Sequence, residues 1–518
     1  MRLAARWTIL TLALSPLRLV SQPAIGQNGV VNQASQIPPT LASGSLARGA
    51  AFTIRGVHLG PDPVVWLRKG GSPTRVRVLA ASALKIEAVL PETAPLGAAL
   101  LVVSSGGLES KPFPVQIVAS NPGIFSVNQR GWGPGRIENL DSLGMRTLNS
   151  TSNPARPGQR VAMRITGLGK DTGATLVVGD RALPAGLLRP LPAPGEQEVS
   201  FLVPQRVPSG CYVPVYFRAS TGRPSNVVTM AIHSGTGNCE TGPLPLLDQQ
   251  RVGVAVFTRS NMLDGAISRM EDEVIAVFAA KNKGPVLSPL MLLPPPGTCT
   301  FYTSSFQAET IRPDSLASAL IAELGGDGLA AGAELSAVQG KNHQVIPGEG
   351  GTAGYYRARL GSYRNKPKKL FLEPGRFVFS GQGGTDVGAF SVSVESPAPF
   401  EWVNRGQIFV VDRNRALPLT WRKQASGQRT IILATNVDQV TTAIGTCLCT
   451  APPGATRFEI PAGLLENIPA SSAVSGVPYD QLFVASLPAG GAERLQAPGI
   501  ASGSVLTIFA SGRFVKYH

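Results

Sequence analysis

Apolar side chains recur at every second position in many short stretches of this 518-residue chain. Val161, Met163 and Ile165, for example, are separated by Ala162 and Arg164. A period of about two places such side chains on one face of a strand, whereas a helix requires a period of about 3.6. Turns are equally frequent, because the chain contains 58 Gly and 44 Pro. These features predict an all-β fold of tandem immunoglobulin-like β-sandwiches, with short helical segments in the connections.

The chain is too long for a single hydrophobic core, so we expect several folded units. Turn clusters and shifts in composition place their boundaries. The predicted segments are a signal peptide at 1–26, a flexible leader at 27–36, a first β-sandwich at 37–118, a second at 119–240, a β-rich domain at 245–397 and a C-terminal β-sandwich at 398–518. Whether the residues from 245 to 518 form one domain or two is left open by the sequence.

The first residues have the pattern of a secretory signal. Met1–Arg6 is basic, Trp7–Leu14 is apolar, and the small residues Ala24 and Gly26 predict cleavage near Gly26. No later apolar run reaches the roughly 18 residues that a transmembrane helix needs. We therefore expect a protein that is secreted or held at the cell surface or in the periplasm, without a transmembrane segment.

The formal net charge of +15 does not by itself identify a class of binding partner, and charged residues make up only 15% of the chain. A basic surface attracts acidic polysaccharide, anionic envelope or nucleic acid, and it also serves solubility. We expect extracellular polysaccharide or other envelope and surface proteins as partners, and no specific nucleic acid. No cofactor is predicted, since the glycine-rich segments 325–328 and 348–351 lack the Lys-Ser/Thr ending of a phosphate-binding loop.

Five cysteines in an exported chain predict disulfides. Cys211 and Cys239 bracket one pair of strands, and we pair them. Cys447 and Cys449 are two residues apart and share one face of a strand, so they compete for the same partner. We expect Cys299 to pair with one of them, and which one is left open. A zinc site at Cys447 and Cys449 is disfavoured, because structural sites have two to four residues between such ligands.

Two families are suggested by particular motifs. Residues 37–118 resemble an IPT/TIG domain through Ala51–Gly56, Leu90-Pro91 and the Gly97–Val103 strand. Residues 121–232 resemble the Solibacter uncharacterised C-terminal domain family of exported acidobacterial proteins. The matching pieces are Asn121–Phe125, Asn149, Asn153–Gly158, Ile165–Gly169, Val207–Cys211 and Ser225-Asn226. The first resemblance implies an immunoglobulin-like binding module, and neither supplies a catalytic residue. Here the second domain precedes a further segment of about 280 residues instead of ending the chain.

No catalytic or metal-binding constellation is evident. The four histidines are scattered, and no Gly-x-Ser-x-Gly nucleophile motif occurs. The acidic run Glu271-Asp272-Glu273 could offer carboxylates for glycoside hydrolysis, although adjacent acids on an exposed rim are the commoner explanation. Asp386, in the glycine-rich turn Gly381–Gly388, has too few oxygen ligands nearby in sequence for a calcium loop.

One stretch, residues 355–369, has the composition of a binding surface, because it contains three tyrosines and six basic residues without an acid. Aromatic rings stack on sugars or bases, and guanidinium groups pair with carboxylate or phosphate. The candidate polyanion or glycan contacts are Tyr355, Tyr356, Arg357, Arg359, Tyr363, Arg364, Lys366, Lys368 and Lys369. A solvated strand and loop is the simpler interpretation of the same residues.

Three further segments have patterns of their own, and two of them have two interpretations each. Trp132, between glycines, is either an exposed sugar platform or a side chain that covers a gap between sheets. The apolar residues from Met262 to Val277 fit a helical stripe, yet the part from Val274 onwards favours a strand. Asp314 to Leu324 has the pattern of an N-capped helix within a long connection.

The sequence therefore favours an exported, non-enzymatic binding or structural protein built of immunoglobulin-like modules, whose loops would carry recognition. The alternatives are an extracellular polysaccharide-active hydrolase with accessory sandwiches, and a surface protein that binds a polyanion.

Overall fold

The all-β prediction is confirmed. The computed structural model describes residues 21–239, 251–280, 292–305, 327–350, 352–363, 369–422, 428–472, 480–488 and 490–518. Among these residues strands predominate, and helix is limited to the four-residue α1 (Ala462–Leu465) and a 3₁₀ turn, Val403–Gln407. The predicted helix from Asp314 to Leu324 lies outside the described residues.

The first unit is a sandwich whose two sheets are joined by one strand. β5 pairs with β4 through Val76 and with β6 through Val78, so it belongs to both sheets. Phe52, Ile54 and Leu101 are fully buried between them. Its strands are β1 (Ala24–Asn32), β2 (Leu46–Ala47), β3 (Ala51–Val57), β4 (Val64–Arg68), β5 (Thr74–Ala81), β6 (Lys85–Val89), β7 (Gly97–Ser105), β8 (Leu108–Glu109) and β9 (Phe113–Val118).

The segment 27–36, which was predicted to be a flexible leader, is part of the first sandwich in the structure. Most of it belongs to β1, and Val30 pairs with Ile54 in antiparallel register. Val30 and Val31 are buried, which explains why these residues are ordered. The prediction considered the polar residues of the leader and missed this apolar pair.

The second unit is a sandwich of two separate sheets. One has the order β12-β11-β13-β17-β16 with β10 beside β13, and the other has the order β15-β14-β18-β19. Val161, Met163 and Ile165 lie fully buried between them, as their periodicity predicted. The strands are β10 (Gly123–Ile124), β11 (Ile137–Leu140), β12 (Arg146–Leu148), β13 (Arg160–Thr166), β14 (Thr175–Val178), β15 (Arg181–Pro184), β16 (Leu187–Pro190), β17 (Glu196–Leu202), β18 (Gly210–Arg218) and β19 (Val228–Ile232).

The remaining described residues are organised around a ten-stranded sheet. Its main path is β22-β32-β31-β34-β36-β20-β21-β23, with β26 beside β21 and β35 beside β36. The strands are β20 (Arg251–Asp264), β21 (Ile267–Ala280), β22 (Thr298–Ser305), β23 (Asp327–Gly328), β26 (Tyr355–Ser362), β31 (Arg429–Val437), β32 (Ala443–Thr450), β34 (Gln481–Leu487), β35 (Glu493–Arg494) and β36 (Ser502–Phe514). The stretch from Met262 to Val277 is thus a strand hairpin, and its helical interpretation is wrong.

Smaller sheets pack against this one. The strands are β24 (Glu334–Gln339), β25 (Asn342–Pro347), β27 (Gly375–Gly381), β28 (Phe390–Ser396), β29 (Val410–Val411), β30 (Leu417–Thr420), β33 (Arg457–Ile460) and β37 (Lys516–Tyr517). The sheet β25-β24-β27-β28 covers Phe257 and Phe278, whose rings contact Phe379 and Phe390.

The boundary predicted between 397 and 398 does not separate two sheets. β20 runs parallel to β36, with Val252 opposite Ser502 and Leu263 opposite Arg513. Each of the two predicted domains thus contributes strands to the ten-stranded sheet. Local periodicity indicates a strand but carries no information about a pairing strand so distant in sequence. The predicted domain boundary therefore falls between strands of the same sheet.

Both predicted disulfides are confirmed. Cys211 is bonded to Cys239, and Cys299 is bonded to Cys449. Cys299 lies directly opposite Cys449 in the β22–β32 register, while Phe301 faces Cys447, and this register settles the open choice. Cys447 remains a buried free thiol.

Candidate functional site

A surface cleft of about 700 Å³ opens on the second sandwich. One wall is the turn after β11, Leu140–Ser142, and the other is the segment 152–160 that leads into β13. Leu202, Gly235 and Gly237 complete the lining. The cleft is therefore built at an edge of the sandwich, from loops and from the ends of β11, β13 and β17.

The first wall is held in shape by its own acid. Oδ1 of Asp141 accepts hydrogen bonds from the backbone N–H groups of Leu143 at 2.9 Å and Met145 at 2.8 Å. Aspartate commonly closes turns in this way, because its short side chain reaches the backbone a few residues on. One oxygen of this carboxylate is thus committed to the turn.

The second wall is fixed by side-chain amides. Asn153 donates from Nδ2 to the carbonyl oxygen of Leu148 at 2.9 Å and to Thr147 Oγ1 at 3.0 Å. Gln159 accepts from the backbone N–H of Arg156 at 3.0 Å and donates to the Leu140 carbonyl oxygen at 3.2 Å. The bond from Gln159 to Leu140 ties the two walls together, so the cleft is preformed.

Glycine is required at one position of this wall. Gly158 has a φ of +82°, and a Cβ there would lie 2.6 Å from Nε2 of Gln205. The left-handed backbone turns the chain so that Arg156 and Arg160 both reach the cleft.

Two guanidinium groups dominate the charge of the cleft. Arg156 and Arg160 are both exposed, and within the described part of the chain neither has a carboxylate oxygen within 4.0 Å. Asp141 is the one acid in the lining, against these two arginines. The cleft thus offers positive charge and planar N–H donors to an anionic or strongly polar ligand.

In the stretch from Tyr355 to Lys369, which the sequence suggested as a binding surface, several side chains form contacts within the fold. Arg359 Nε is paired with Glu271, and Arg357 Nη2 lies 3.6 Å from Oε2 of Glu273. Tyr356 is only 2% exposed, and its hydroxyl donates to the Gly332 carbonyl oxygen at 2.8 Å. These three side chains are therefore not a free binding face.

The other residues of that stretch are dispersed. Tyr355 is half-buried, whereas Tyr363 and Lys369 are exposed. Arg364, Lys366 and Lys368 lie outside the described residues. A polyanion or glycan site in this stretch stays a prediction.

The acidic run on β21 is divided between the two faces of its strand. Asp272 is fully buried and accepts two hydrogen bonds from Arg259, at 2.7 and 2.8 Å. It also accepts the backbone N–H groups of Phe371 at 2.7 Å and Leu372 at 2.8 Å. Glu271 and Glu273 face the other way, toward the arginines of β26. All three acids hold strands together and do not converge on a cleft.

Trp132 does not form a sugar platform. It is 5% exposed and packs with the Cys211–Cys239 disulfide and with Tyr302 of β22, whose ring centroid is 6.5 Å away. It therefore joins the second sandwich to the ten-stranded sheet. Asp386 likewise has a structural role, because its Oδ2 accepts the backbone N–H of Ala330 at 2.9 Å.

Three sulfur atoms gather around the second disulfide. The Sγ atoms of Cys299, Cys447 and Cys449 lie within 4.8 Å of one another. Because Cys299 and Cys449 are bonded, Cys447 alone offers a thiol, and burial raises its pKa to about 12. A protonated buried thiol is unreactive, so this cluster is structural.

Asn153–Gly158 entered the sequence-based predictions only as part of a family resemblance, and the cleft was not predicted. The signal was present in Arg156 and Arg160, two basic residues in a segment without an acid between Asp141 and Asp171. The sequence did not show that the Leu140–Ser142 turn lies opposite this segment and forms the other wall of the cleft.

No family model and no curated protein matches this chain. Among the solved structures to which it is similar is SGBP-B from a complex xyloglucan utilization locus in Bacteroides uniformis, with 11% identity over 94% of this chain and 97% of that one, at a TM-score of 0.16. The Bacteroides ovatus mixed-linkage glucan utilization locus SGBP-B, in complex with a mixed-linkage heptasaccharide, has 12% identity over 36% of this chain and 45% of that one, with a TM-score of 0.21.

A third similar structure is the gamma-CGTase from alkalophilic Bacillus clarkii, with 19% identity over 42% of this chain, 25% of that chain and a TM-score of 0.15. The chain thus spans a quarter of this enzyme and less than half of the Bacteroides ovatus protein. None of the three TM-scores exceeds 0.21, so these likenesses assign neither a family nor an activity to this chain.

Proposed function

We propose that this protein is a non-enzymatic extracellular binding protein and that the cleft of its second sandwich holds a segment of acidic polysaccharide. The observation that carries the proposal is the pair Arg156 and Arg160, exposed in a preformed cleft without a carboxylate partner among the described residues. Guanidinium groups pair with carboxylate or sulfate groups through two parallel hydrogen bonds, and a polymer presents such groups repeatedly.

The composition of the cleft supports binding over hydrolysis. Glycoside hydrolysis commonly uses two carboxylates about 5 to 10 Å apart. The lining contains one acid, Asp141, and one of its oxygens is held by the turn. The polysaccharide would thus be held by the arginines without being cleaved.

The disulfides support an extracellular location. Disulfides persist in oxidising compartments, and this chain has two of them. The predicted signal peptide agrees with that, although residues 1–20 lie outside the described part. Among the described residues, no helix is long and apolar enough to cross a bilayer.

Affinity electrophoresis through gels containing polygalacturonate, with neutral dextran as the comparison polymer, tests the proposal. We expect the wild-type protein to be retarded by polygalacturonate alone, and the double variant R156Q/R160Q to lose about tenfold in affinity. The matched control is R415Q/R457Q, which removes the same charge from exposed arginines that are already paired with acids.

Equal loss in both double variants would show that net charge, and not the cleft, causes retention, and would refute the proposal. Release of reducing ends from the polymer during incubation would favour the hydrolase alternative instead.

A further inference from the structure

A second pair of arginines, which have no carboxylate partner within the described residues, lies where a 3₁₀ turn meets the ten-stranded sheet, remote in sequence from the cleft. Arg513 is near the end of β36 and is 1% exposed. Arg405 is in the 3₁₀ turn Val403–Gln407 and is half-buried. Arg513 donates from Nη1 to the carbonyl oxygen of Arg405, so the two residues are in direct contact.

Among the described residues, the groups that accept hydrogen bonds from these two side chains are neutral. Arg405 donates from Nη1 to the carbonyl oxygen of Asn261 and to Oγ of Ser511, both at 2.9 Å. Arg513 also donates from Nε to its neighbour's carbonyl oxygen, that of Phe514, at 3.4 Å. Carbonyl and hydroxyl oxygens satisfy N–H groups but do not neutralise their charge.

The nearby acids are engaged elsewhere. Glu401 is paired with Arg422, and Asp412 with Arg415. Across the described residues, no carboxylate oxygen lies within 4.0 Å of the guanidinium group of Arg405 or Arg513. Burial lowers the pKa of Arg405, and the positive charge of Arg513 lowers it further.

A buried guanidinium group is costly without a carboxylate partner, and the described residues provide none for Arg513. By contrast, the buried Arg259 on the same sheet has the carboxylate of Asp272. Arg513 contacts the backbone of Arg405, and its positive charge acts on the Arg405 guanidinium group, so an oxyanion bound by Arg405 would offset this repulsion.

An exposed aromatic ring completes the arrangement. The Phe409 ring centroid is 4.1 Å from Cζ of Arg513, and Phe409 is 59% exposed. Val410, which follows it in the sequence, is 54% exposed, and Val403 in the 3₁₀ turn is 53% exposed. A ring that covers one guanidinium group on its inner side leaves its outer side and edge for a ligand.

We propose that Arg405, Arg513 and Phe409 form a second ligand site, which binds a carboxylate carried on a ring. Arg405, which reaches solvent, makes the charged contact, and Arg513 behind it adds positive potential. Phe409 and the two valines pack against the ring of the ligand. This site is independent of the cleft, since it shares no residue with it.

Isothermal titration of the full-length protein with benzoate and with glucuronate tests this site, with benzyl alcohol and glucose as their uncharged counterparts. We expect the two carboxylates to bind and the two uncharged compounds not to bind. R405Q should weaken binding about tenfold, and F409A should weaken benzoate binding severalfold. Because Phe409 is exposed, F409A should fold normally, which urea unfolding would verify even if R405Q is destabilised.

The cleft variant R156Q/R160Q distinguishes the two proposals. Benzoate binding that is retained in R156Q/R160Q and lost in R405Q supports the second site, whatever the outcome with polygalacturonate. Absence of carboxylate binding by the wild-type protein would overturn it, as would unchanged affinity in both R405Q and F409A.

Discussion

The hairpin β20–β21 and the cleft of the second sandwich use the same residue types for different purposes. On the hairpin, Asp272 is enclosed by Arg259, and Glu271 and Glu273 are matched by the arginines of β26. In the cleft, Arg156 and Arg160 have no such partners among the described residues. The formal charge of +15 counts both groups alike, but only the second leaves charge available to a ligand. Whether each arginine has a carboxylate partner within the fold therefore says more about possible ligands than the net charge does.

Removal of the buried carboxylate of Asp272, on the hairpin, should have the largest effect on stability. We expect D272N to lower the free energy of unfolding by about 3–5 kcal/mol, because Arg259 would remain buried with an unpaired charge. Urea unfolding followed by circular dichroism measures this. The matched control is E271Q on the same strand, whose partner Arg359 is 69% exposed, and there a loss below about 1 kcal/mol is expected. Similar losses in the two variants would contradict the distinction between buried and exposed pairs.

A pair of intermediate burial should have an intermediate effect that depends on pH. Two hydrogen bonds from Arg146, with a third from Arg189, lower the pKa of Glu198 from 4.5 to about 2. Because the folded pKa is below the unfolded one, the stabilisation is present above about pH 4.5 and is lost as the pH falls toward 2. Since Arg189 is 58% exposed, we expect E198Q to cost about 1–2 kcal/mol at pH 7.

Unfolding of wild type and E198Q from pH 7 down to pH 2 checks this expectation. The difference between them should shrink across that window. The exposed pair Arg68–Glu109 provides the control, because E109Q should cost below about 0.5 kcal/mol at every pH. A constant difference for E198Q would mean that its carboxylate charge is not the stabilising feature.

The cleft arginines should have the smallest effect on stability. R156Q/R160Q removes no ion pair within the described residues, so we expect the free energy of unfolding to change by less than about 0.5 kcal/mol. Thermal unfolding measures this, and addition of polygalacturonate should raise the Tm of the wild-type protein alone. A large loss of stability without ligand would mean that Arg156 and Arg160 stabilise the fold, as the arginines that contact the hairpin do.

The sequence predicted those features that depend on neighbouring residues. The alternation of Val161, Met163 and Ile165 indicated a buried face, and the spacing of Cys211 and Cys239 indicated a disulfide across a strand pair. Both follow from the geometry of a strand and its next partner.

Features that depend on distant residues were not accessible. The aromatic and basic residues from 355 onwards suggested a surface, but the acids that neutralise Arg357 and Arg359 come from another strand far earlier in the chain. The cleft was missed for the same reason, since its two walls come from different segments. Composition shows which charges are present, whereas tertiary structure decides which of them stay unpaired.

The parallel pairing of β20 with β36 has a consequence for the order of events during synthesis. Val252 is translated long before Ser502, the residue opposite it. At roughly 5–20 residues per second, the intervening chain takes on the order of 10 to 50 seconds to make. During that interval β20 is an open edge that another nascent chain could occupy.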